Sequence, residues 1–233
     1  MLRRLGEGVH VRLPTELPEL RVGNGSCDVD VLIDHPSIAP LHATIERLDE
    51  VLRVRDAGTG SSFEFDPRNE RFAPRADIVV NVGEPFALGH VRLMPLDERL
   101  ANLVPVLERA LGDRSYVRVD AALTAIVNAR PLCLELPASS TPDLLSAIHA
   151  ASPRREYPFT LVTQLPGSPE TIDAVCTAGA CGMIVIDLRG GGQPTGDLLY
   201  SLGSRHYQLW PCFLFAPGAG DPRSVAELNA HWL

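Results

Sequence analysis

Several features that would assign this chain of 233 residues to a familiar class are missing. No apolar run reaches the roughly 18 residues of a membrane-spanning helix, and the first residues lack the apolar core of a signal peptide. No cluster of basic residues is present, and the formal net charge is -8. Because binding to a nucleic-acid backbone requires clustered Arg and Lys, we predict no direct contact with nucleic acid. The missing apolar segments lead us to predict a cytoplasmic protein that does not contact a membrane.

The five cysteines offer neither a metal site nor a disulfide framework. They are scattered, form no C-x-x-C pair, and have no histidine at a spacing typical of zinc ligands. We expect free thiols packed as small apolar side chains and no bound metal. The alternative is a nucleophilic cysteine paired with a histidine, and nothing near any cysteine in the sequence would activate one. The positions are Cys27, Cys133, Cys176, Cys181 and Cys212.

Up to about residue 95, short apolar strands separated by turn residues form a pattern typical of an all-β sandwich. Residues 29–33 form a compact apolar run, and residues 52–55 alternate apolar and charged side chains. Gly23-Asn24-Gly25 and Gly58-Thr59-Gly60 are turn signals between such runs. Residues 86–93 are predicted to form a final tight hairpin. After residue 96, apolar residues recur at helical spacing as far as Gly112, which predicts a connecting helix.

Beyond the connecting helix, apolar runs of strand length alternate with helical stretches, the pattern of an α/β unit with a parallel sheet. The predicted strands are 131–136, 159–162, 183–186 and 213–215, and the predicted helices are 121–128, 142–151, 169–178, 195–202 and 224–232. The sequence therefore predicts two domains, a β-sandwich over 1–96 and an α/β domain over 113–233, joined by a helix over 97–112.

The segment from Leu20 to Met94 resembles a forkhead-associated (FHA) domain, a β-sandwich whose loops bind phosphothreonine peptides in that family. The matching stretches occur in the family's order. They are Arg21-Val22-Gly23-Asn24 for Ile-Gly-Arg, Ile38-Ala39-Pro40-Leu41-His42-Ala43 for Val-Ser-Arg-x-His-Ala, Asp56-Ala57-Gly58-Thr59-Gly60-Ser61-Ser62 for Asp-Leu-Gly-Ser-Thr-Asn-Gly, and Gly83-Glu84 with Leu88-Gly89 for the late Gly-Asp and Leu-Gly signals.

The differences from the family fall on the residues that the resemblance assigns to phosphate capture. The turn arginine is replaced by Asn24, the loop serine by Ala39, the next arginine by Pro40 and the peptide-binding asparagine by Ser61. His42 is retained, and we interpret it as a brace for the neighbouring loops, while Thr59 is left to donate one hydrogen bond. Because a phosphate dianion must be taken from water by cations and several donors, we predict that phosphothreonine binding is lost. The loops would then bind an unphosphorylated protein or serve only in packing.

Stretches of the second half resemble the AAA+ ATPases of bacterial enhancer-binding activators, which open promoters for the nitrogen-type sigma factor. Residues 147–155 with Pro158-Phe159 resemble the stretch after the family's P-loop helix. Residues 180–188 resemble its Gly-Gly-Thr-Leu-Phe-Leu-Asp-Glu strand, and residues 197–202 resemble the helix that follows. FHA domains precede such ATPase domains in that family. The resemblance therefore implies a P-loop-like α/β fold, a truncated AAA+ remnant, in the second half.

The same resemblance places a nucleotide site on residues that do not suit one. The family's P-loop falls on residues 135–142 and includes Ser139, Ser140 and Thr141. Its three glycine positions hold Glu135, Ala138 and Ser140, and its lysine position holds Thr141. Without the glycines and the lysine, neither backbone N–H groups nor a cation can enclose the phosphates. Asp187 is left either to orient a metal-bound water or to act only as a turn residue, and Leu188 replaces the catalytic glutamate. We predict no cofactor and no catalysis, because phosphoryl transfer needs all of these groups together.

These observations predict a non-catalytic scaffold or regulator, a pseudo-ATPase that binds proteins in bacterial signalling or transcription control. Its partners would include related FHA or enhancer-binding proteins, and the sequence leaves its oligomeric state open. Two alternatives stay open beside this interpretation. One is a phosphopeptide-binding adaptor that uses the FHA-like loops, and the other is an ATP-binding transcriptional activator of the enhancer-binding family.

Overall fold

The computed structural model describes residues 1–49, 51–66, 71–112, 115–136, 142–205 and 208–216. The chain divides into two compact units, the first made of residues 1–108 and 113–124 and the second of residues 109–112 and 125–233. The predicted helix over 224–232 and the three residues Ser139, Ser140 and Thr141 lie outside the described residues. No helix in the described part of the chain is long and apolar enough to cross a membrane.

The first unit contains the β-sandwich that the sequence predicted. One sheet has the strand order β2-β1-β11-β10-β7-β8 and the other has the order β4-β3-β5-β6-β9. The strands are β1 (Leu2–Arg4), β2 (Val9–Val11), β3 (Glu19–Gly23), β4 (Val31–Leu32), β5 (Ala43–Leu48), β6 (Val51–Asp56), β7 (Ser62–Asp66), β8 (Arg71–Pro74), β9 (Asp77–Asn81), β10 (Phe86–Leu88) and β11 (Val91–Pro95). Apart from the parallel pair of β3 and β4, neighbouring strands are antiparallel.

Alternation along the strands determines which face of each sheet enters the core. Ile45 of β5 lies opposite Val54 of β6, and both are fully buried. The next pair, Glu46 and Arg53, points outward because successive strand residues face opposite sides of a sheet. Burial of each such aliphatic side chain contributes about 1.5 to 3 kcal/mol. The predicted final hairpin is also present, with Phe86 of β10 opposite Leu93 of β11.

Helices α1 (Glu98–Leu111) and α2 (Tyr116–Val127) follow the sandwich, and a buried charge network joins them to β1. The Arg3 side chain is fully buried. Its Nε lies 2.6 Å from a carboxylate oxygen of Asp120 in α2, and its Nη1 lies 3.3 Å from Glu108 in α1. The other carboxylate oxygen of Asp120 accepts a hydrogen bond from the backbone N–H of Gly6 at 2.6 Å. The first unit therefore includes most of both helices.

The second unit is built on a four-stranded parallel sheet with the order β12-β15-β14-β13, in agreement with the predicted α/β architecture. Its elements are β12 (Leu132–Glu135), α3 (Pro142–Ala151), β13 (Phe159–Val162), α4 (Pro169–Ala178), β14 (Met183–Asp187), α5 (Gly196–Ser204) and β15 (Trp210–Phe215). Ile184 and Ile186 of β14 pack in one buried cluster with Ile172 of α4 and Leu198 of α5. This parallel sheet with its helices agrees with the general α/β prediction, but no P-loop or AAA+ fold is confirmed.

Two elements begin three or more residues ahead of their predicted starts, while the other described elements of the second half agree with the prediction to within two residues. Helix α2 begins at Tyr116, ahead of the predicted start at 121, and the Ser115 carbonyl accepts the first helical hydrogen bond, from Val119. Strand β15 begins at Trp210, ahead of the predicted start at 213, although Pro211 follows directly. Its pairing with β12 begins at Cys212, one residue after the proline, so the missing N–H of Pro211 removes no bond from that ladder.

Candidate functional site

Three loops meet at one end of the sandwich in the first unit. They are residues 24–30 between β3 and β4, residues 33–42 between β4 and β5, and residues 57–61 between β6 and β7. Backbone hydrogen bonds join the first two loops, since Asn24 N–H donates to the Ala39 carbonyl at 3.1 Å. Ala57 N–H donates to the His42 carbonyl at 2.9 Å, which brings in the third. All six residues predicted to form the phosphopeptide face therefore lie on one connected set of loops.

Asp56, at the end of β6, fixes the shape of the 57–61 loop. Its Oδ1 accepts hydrogen bonds from the backbone N–H groups of Gly58, Thr59 and Gly60. Its Oδ2 accepts bonds from the hydroxyls of Thr59 at 2.7 Å and Ser62 at 2.6 Å. Burial of Asp56 alone would raise its pKa, but these hydrogen bonds outweigh burial and hold the pKa well below its ordinary value.

Replacing Asp56 with asparagine is expected to lower the free energy of unfolding of the first unit by roughly 2 kcal/mol near neutral pH, because charge-assisted bonds are lost. The folded pKa is depressed, so this stabilisation is present above the ordinary carboxyl pKa of about 4 and lost as the pH falls below it. The difference between the two proteins should therefore narrow in acid. Urea unfolding near pH 7 and near pH 3 measures it, with D34N, at an exposed loop position, as the control.

His42 is almost completely buried between the loops, with 1% of its surface exposed. Its Nδ1 accepts a hydrogen bond from the backbone N–H of Ala39 at 3.1 Å, so the ring proton is on Nε2. Nε2 donates to the carbonyl of Ser61 at 3.2 Å. Both ring nitrogens are used inside the protein, an arrangement that fits the bracing role predicted for His42 and leaves neither for a ligand.

The other polar side chains predicted on this face also have internal partners. The Asn24 side chain donates to the Ile38 carbonyl at 2.8 Å and accepts from Ser26 N–H at 3.0 Å. The Ser61 hydroxyl donates to the Thr59 carbonyl at 3.3 Å. The sequence left Thr59 a hydrogen bond to offer, but its hydroxyl donates to Asp56 and accepts from Ser61 N–H. Ala39 and Pro40 have no polar side-chain atoms.

The two loops over residues 24–42 contain three aspartates and no arginine or lysine. Arg21, in the middle of β3, is the last arginine before the loops in sequence, and its guanidinium lies 2.7 Å from Asp28 and 3.7 Å from Asp30. No arginine occurs between Arg21 and Arg47, and the chain contains no lysine. A phosphate approaching the 24–42 segment would therefore meet its carboxylates and no arginine or lysine from that segment.

In the second unit, Asp187 lies at the carboxyl end of β14, beside an open depression of about 570 Å³. The guanidinium of Arg189 forms two bonds to its carboxylate, at 2.9 and 2.6 Å. Arg189 holds the pKa of Asp187 below its ordinary value, against the opposite effect of burial. Leu188 is buried, with 4% exposure. The Asp187 carboxylate is thus paired with a cation of the protein itself, and the Leu188 side chain has no polar atom.

All five cysteines are free, but only Cys176 and Cys212 are buried. The expectation that all five pack as small apolar side chains is wrong for Cys27, Cys133 and Cys181, which are exposed. Burial raises the pKa values of Cys176 and Cys212 above the ordinary thiol value, which favours the unreactive protonated form. Within the described ranges, no group of three or more His, Cys, Asp and Glu side chains is arranged to hold a metal ion.

Comparisons with known proteins found matches among solved structures. No protein-family model matches the chain, and no curated protein sequence matches it. Among solved structures, the FHA domain of CT664 from Chlamydia trachomatis is 20% identical, with a TM-score of 0.34 over 41% of this chain and 94% of that one. The FHA domain of FhaA, crystallised with the intracellular domain of Rv3910, is 19% identical, with a TM-score of 0.32 over 40% of this chain and 96% of that one.

A third match is the MEK1 FHA domain in complex with a phosphothreonine peptide of HOP1, 16% identical with a TM-score of 0.30 over 42% of this chain and 95% of that one. FHA folds match the N-terminal part of the chain. These likenesses concern the FHA fold alone, and nothing in the comparisons shows an enhancer-binding ATPase domain in the second unit.

One hydrogen-bonded group at the FHA-like loops was not predicted from the sequence. The Ser37 hydroxyl lies 2.8 Å from His35 Nδ1 and accepts a hydrogen bond from His90 N–H at 2.8 Å. This group ties the 33–42 loop to the turn between β10 and β11. The signal in the sequence was the His35-Pro36-Ser37 turn, in which a serine two residues after the histidine can bond back to it.

Proposed function

We propose that this protein is a non-catalytic, protein-binding scaffold or regulator whose FHA-like loops do not capture phosphate. The observation that carries the proposal is the internal use of every polar side chain predicted on the loop face. Asn24, His42, Thr59 and Ser61 all bond to the protein itself. A phosphate would have to break these bonds and approach carboxylates without a free arginine to bind it. The free energy lost in breaking the bonds would therefore exceed the free energy gained on binding.

The second unit supports a role without nucleotide chemistry. The Asp187 carboxylate is bound by Arg189, and the neighbouring Leu188 has no group to activate water. We therefore propose that the second unit is also a non-catalytic part of the scaffold, folded around its α/β core. Regulation of related FHA or enhancer-binding proteins is the form of this role that the sequence resemblance favours.

The loop proposal predicts that phosphorylation of a peptide brings no gain in affinity. A fluorescent library of threonine peptides, prepared with and without phosphate on the threonine, would be titrated with the full chain and followed by anisotropy. We expect the phosphorylated form to bind no more tightly than the unphosphorylated form. Phosphate-dependent binding with a micromolar dissociation constant would contradict the proposal and favour the phosphopeptide adaptor. Such a constant corresponds to a binding free energy of about -8 kcal/mol.

Adding magnesium and ATP should leave the melting temperature of the chain unchanged. A nucleotide bound only by the native state at about 100 times its dissociation constant would stabilise the protein by about 2.7 kcal/mol, which a melting curve resolves readily. Trp210 is fully buried in the second unit, so tryptophan fluorescence reports on that unit. A shift in melting temperature together with release of inorganic phosphate would contradict the proposal and favour an ATP-binding activator.

A further inference from the structure

Apolar side chains gather around two glycines at the loop end of the sandwich. A Cβ atom built on Gly23 would overlap the Pro40 carbonyl oxygen and come within 3.0 Å of Val29 Cγ1. A Cβ atom on Gly25 would come within 2.7 Å of Leu32 Cδ1. The missing side chains at these two positions thus let their neighbours converge on one area of the surface.

We define the loop-end patch as the five residues Cys27, Val29, Leu32, Pro40 and Leu41. The Cys27 thiol donates a hydrogen bond to the Pro40 carbonyl at 2.9 Å, which joins the two loops across the patch. Leu32 is 56% exposed and Leu41 is 39% exposed. The loop-end patch therefore offers two exposed leucines, one in β4 and one next to Pro40, on segments that cross-loop hydrogen bonds hold in place.

Three aspartates lie between or close to the residues of the loop-end patch along the chain. Asp28 lies between Cys27 and Val29 in the sequence, and its side chain is 92% exposed. Asp30 directly follows Val29, and the exposed Asp34 lies two residues after Leu32. Arg21 offsets one of these charges through its contacts with Asp28 and Asp30. The surface therefore keeps a negative charge that would repel a phosphate and attract Arg or Lys side chains.

We infer that the loop-end patch binds an unphosphorylated protein segment in which an apolar side chain is flanked by Arg or Lys. This inference rests on the proposed protein-binding function and specifies its partner. The apolar side chain of the partner covers Leu32 and Leu41, and its cations lie beside Asp28 and Asp34. Phosphorylation of that segment would add charge of the same sign as the rim and would release the partner.

Three fluorescent peptide libraries test the inference on the full chain. The first has a central Leu-Thr-Ile flanked by arginines, the second is identical with phosphothreonine at the centre, and the third has glutamates in place of the arginines. We expect the arginine library to bind most tightly. Phosphorylation should weaken binding by at least about fivefold, glutamate by at least about tenfold, and added salt should weaken the arginine library.

Variants assign the binding to the loop-end patch. L32S should weaken the arginine library by about tenfold, and D28N combined with D34N should weaken it by about threefold to tenfold. L48S and D49N are the matched controls, because both positions are exposed at the opposite end of β5. Both controls should bind as the unaltered protein does. Melting curves of all variants establish that each one is folded.

Each other outcome is informative. Equal binding of the arginine and glutamate libraries, equal losses in the control variants, or no binding of any library would overturn the inference and leave the proposed function to the nucleotide and phosphate tests. Tighter binding of the phosphothreonine library would overturn the inference and the claim that phosphate capture is lost.

Discussion

Replacing Arg3 with alanine is expected to lower the free energy of unfolding of the first unit by about 3 to 5 kcal/mol. The guanidinium is fully buried and bonds to Asp120 and Glu108 on two different helices. Its removal leaves the Asp120 carboxylate, which is 10% exposed, without its cation in a region that water reaches poorly. Urea unfolding followed by circular dichroism measures the loss.

The matched control for Arg3 is Arg75. Arg75 pairs with Glu64 at 3.2 Å, but both side chains are well exposed, so R75A should cost no more than about 1 kcal/mol. Hydrogen exchange should show faster opening of α1 and α2 in R3A and no change in R75A. A loss in R3A as small as that in R75A would contradict the view that this buried network holds the helices to β1.

Replacing Gly182 with alanine should destabilise the second unit by about 3 kcal/mol. Gly182 directly precedes β14, and a Cβ atom there would overlap the carbonyl oxygen of Pro158, just before β13. This oxygen also accepts the hydrogen bond from Met183 N–H at 2.9 Å, so it cannot move away without disturbing the start of the sheet. Tryptophan fluorescence during urea unfolding follows the change, because both tryptophans, Trp210 and Trp232, fall in the range of the second unit.

Gly190 provides the comparison for Gly182. A Cβ atom on Gly190 meets nothing within 4 Å, so G190A should change the free energy of unfolding by no more than about 0.5 kcal/mol. Equal stabilities of G182A and G190A would contradict the close approach of Gly182, before β14, to the Pro158 carbonyl, before β13.

The alternation of apolar and polar residues was sufficient to predict most of the fold. Strand β13 and helices α3 and α4 have the predicted bounds, because each is a compact apolar run between clear turn residues. The start of α2 was missed, because Tyr116 and Val117 have no strong helical preference and Asp120 is bound by Arg3. Such a long-range contact leaves no periodic signal in the sequence.

The sequence was sufficient to predict which phosphate-binding residues the candidate site lacks. It was not sufficient to predict the internal hydrogen bonds of the residues that are present. The absence of arginine at Asn24 and Pro40 is visible in the sequence, and it motivates the prediction that phosphate binding is lost. The bonds from Thr59 to Asp56 and from Arg189 to Asp187 depend on side-chain geometry that the sequence does not specify. The loop-end patch depends on the approach of Pro40 to Gly23, which is likewise a property of the folded loops.

The most direct test of the account is an amide NMR titration of the full, isotopically labelled chain with magnesium–ATP and then with a phosphothreonine peptide library. We expect no selective chemical-shift change at the amides of Asn24 and Gly58 to Ser61, or at those of Asp187 to Gly192. The donors of the first group are already bonded within the loops, and the carboxylate in the second is paired with arginine. Saturable shifts confined to either group would show that the protein does capture a phosphoryl group and would contradict the account.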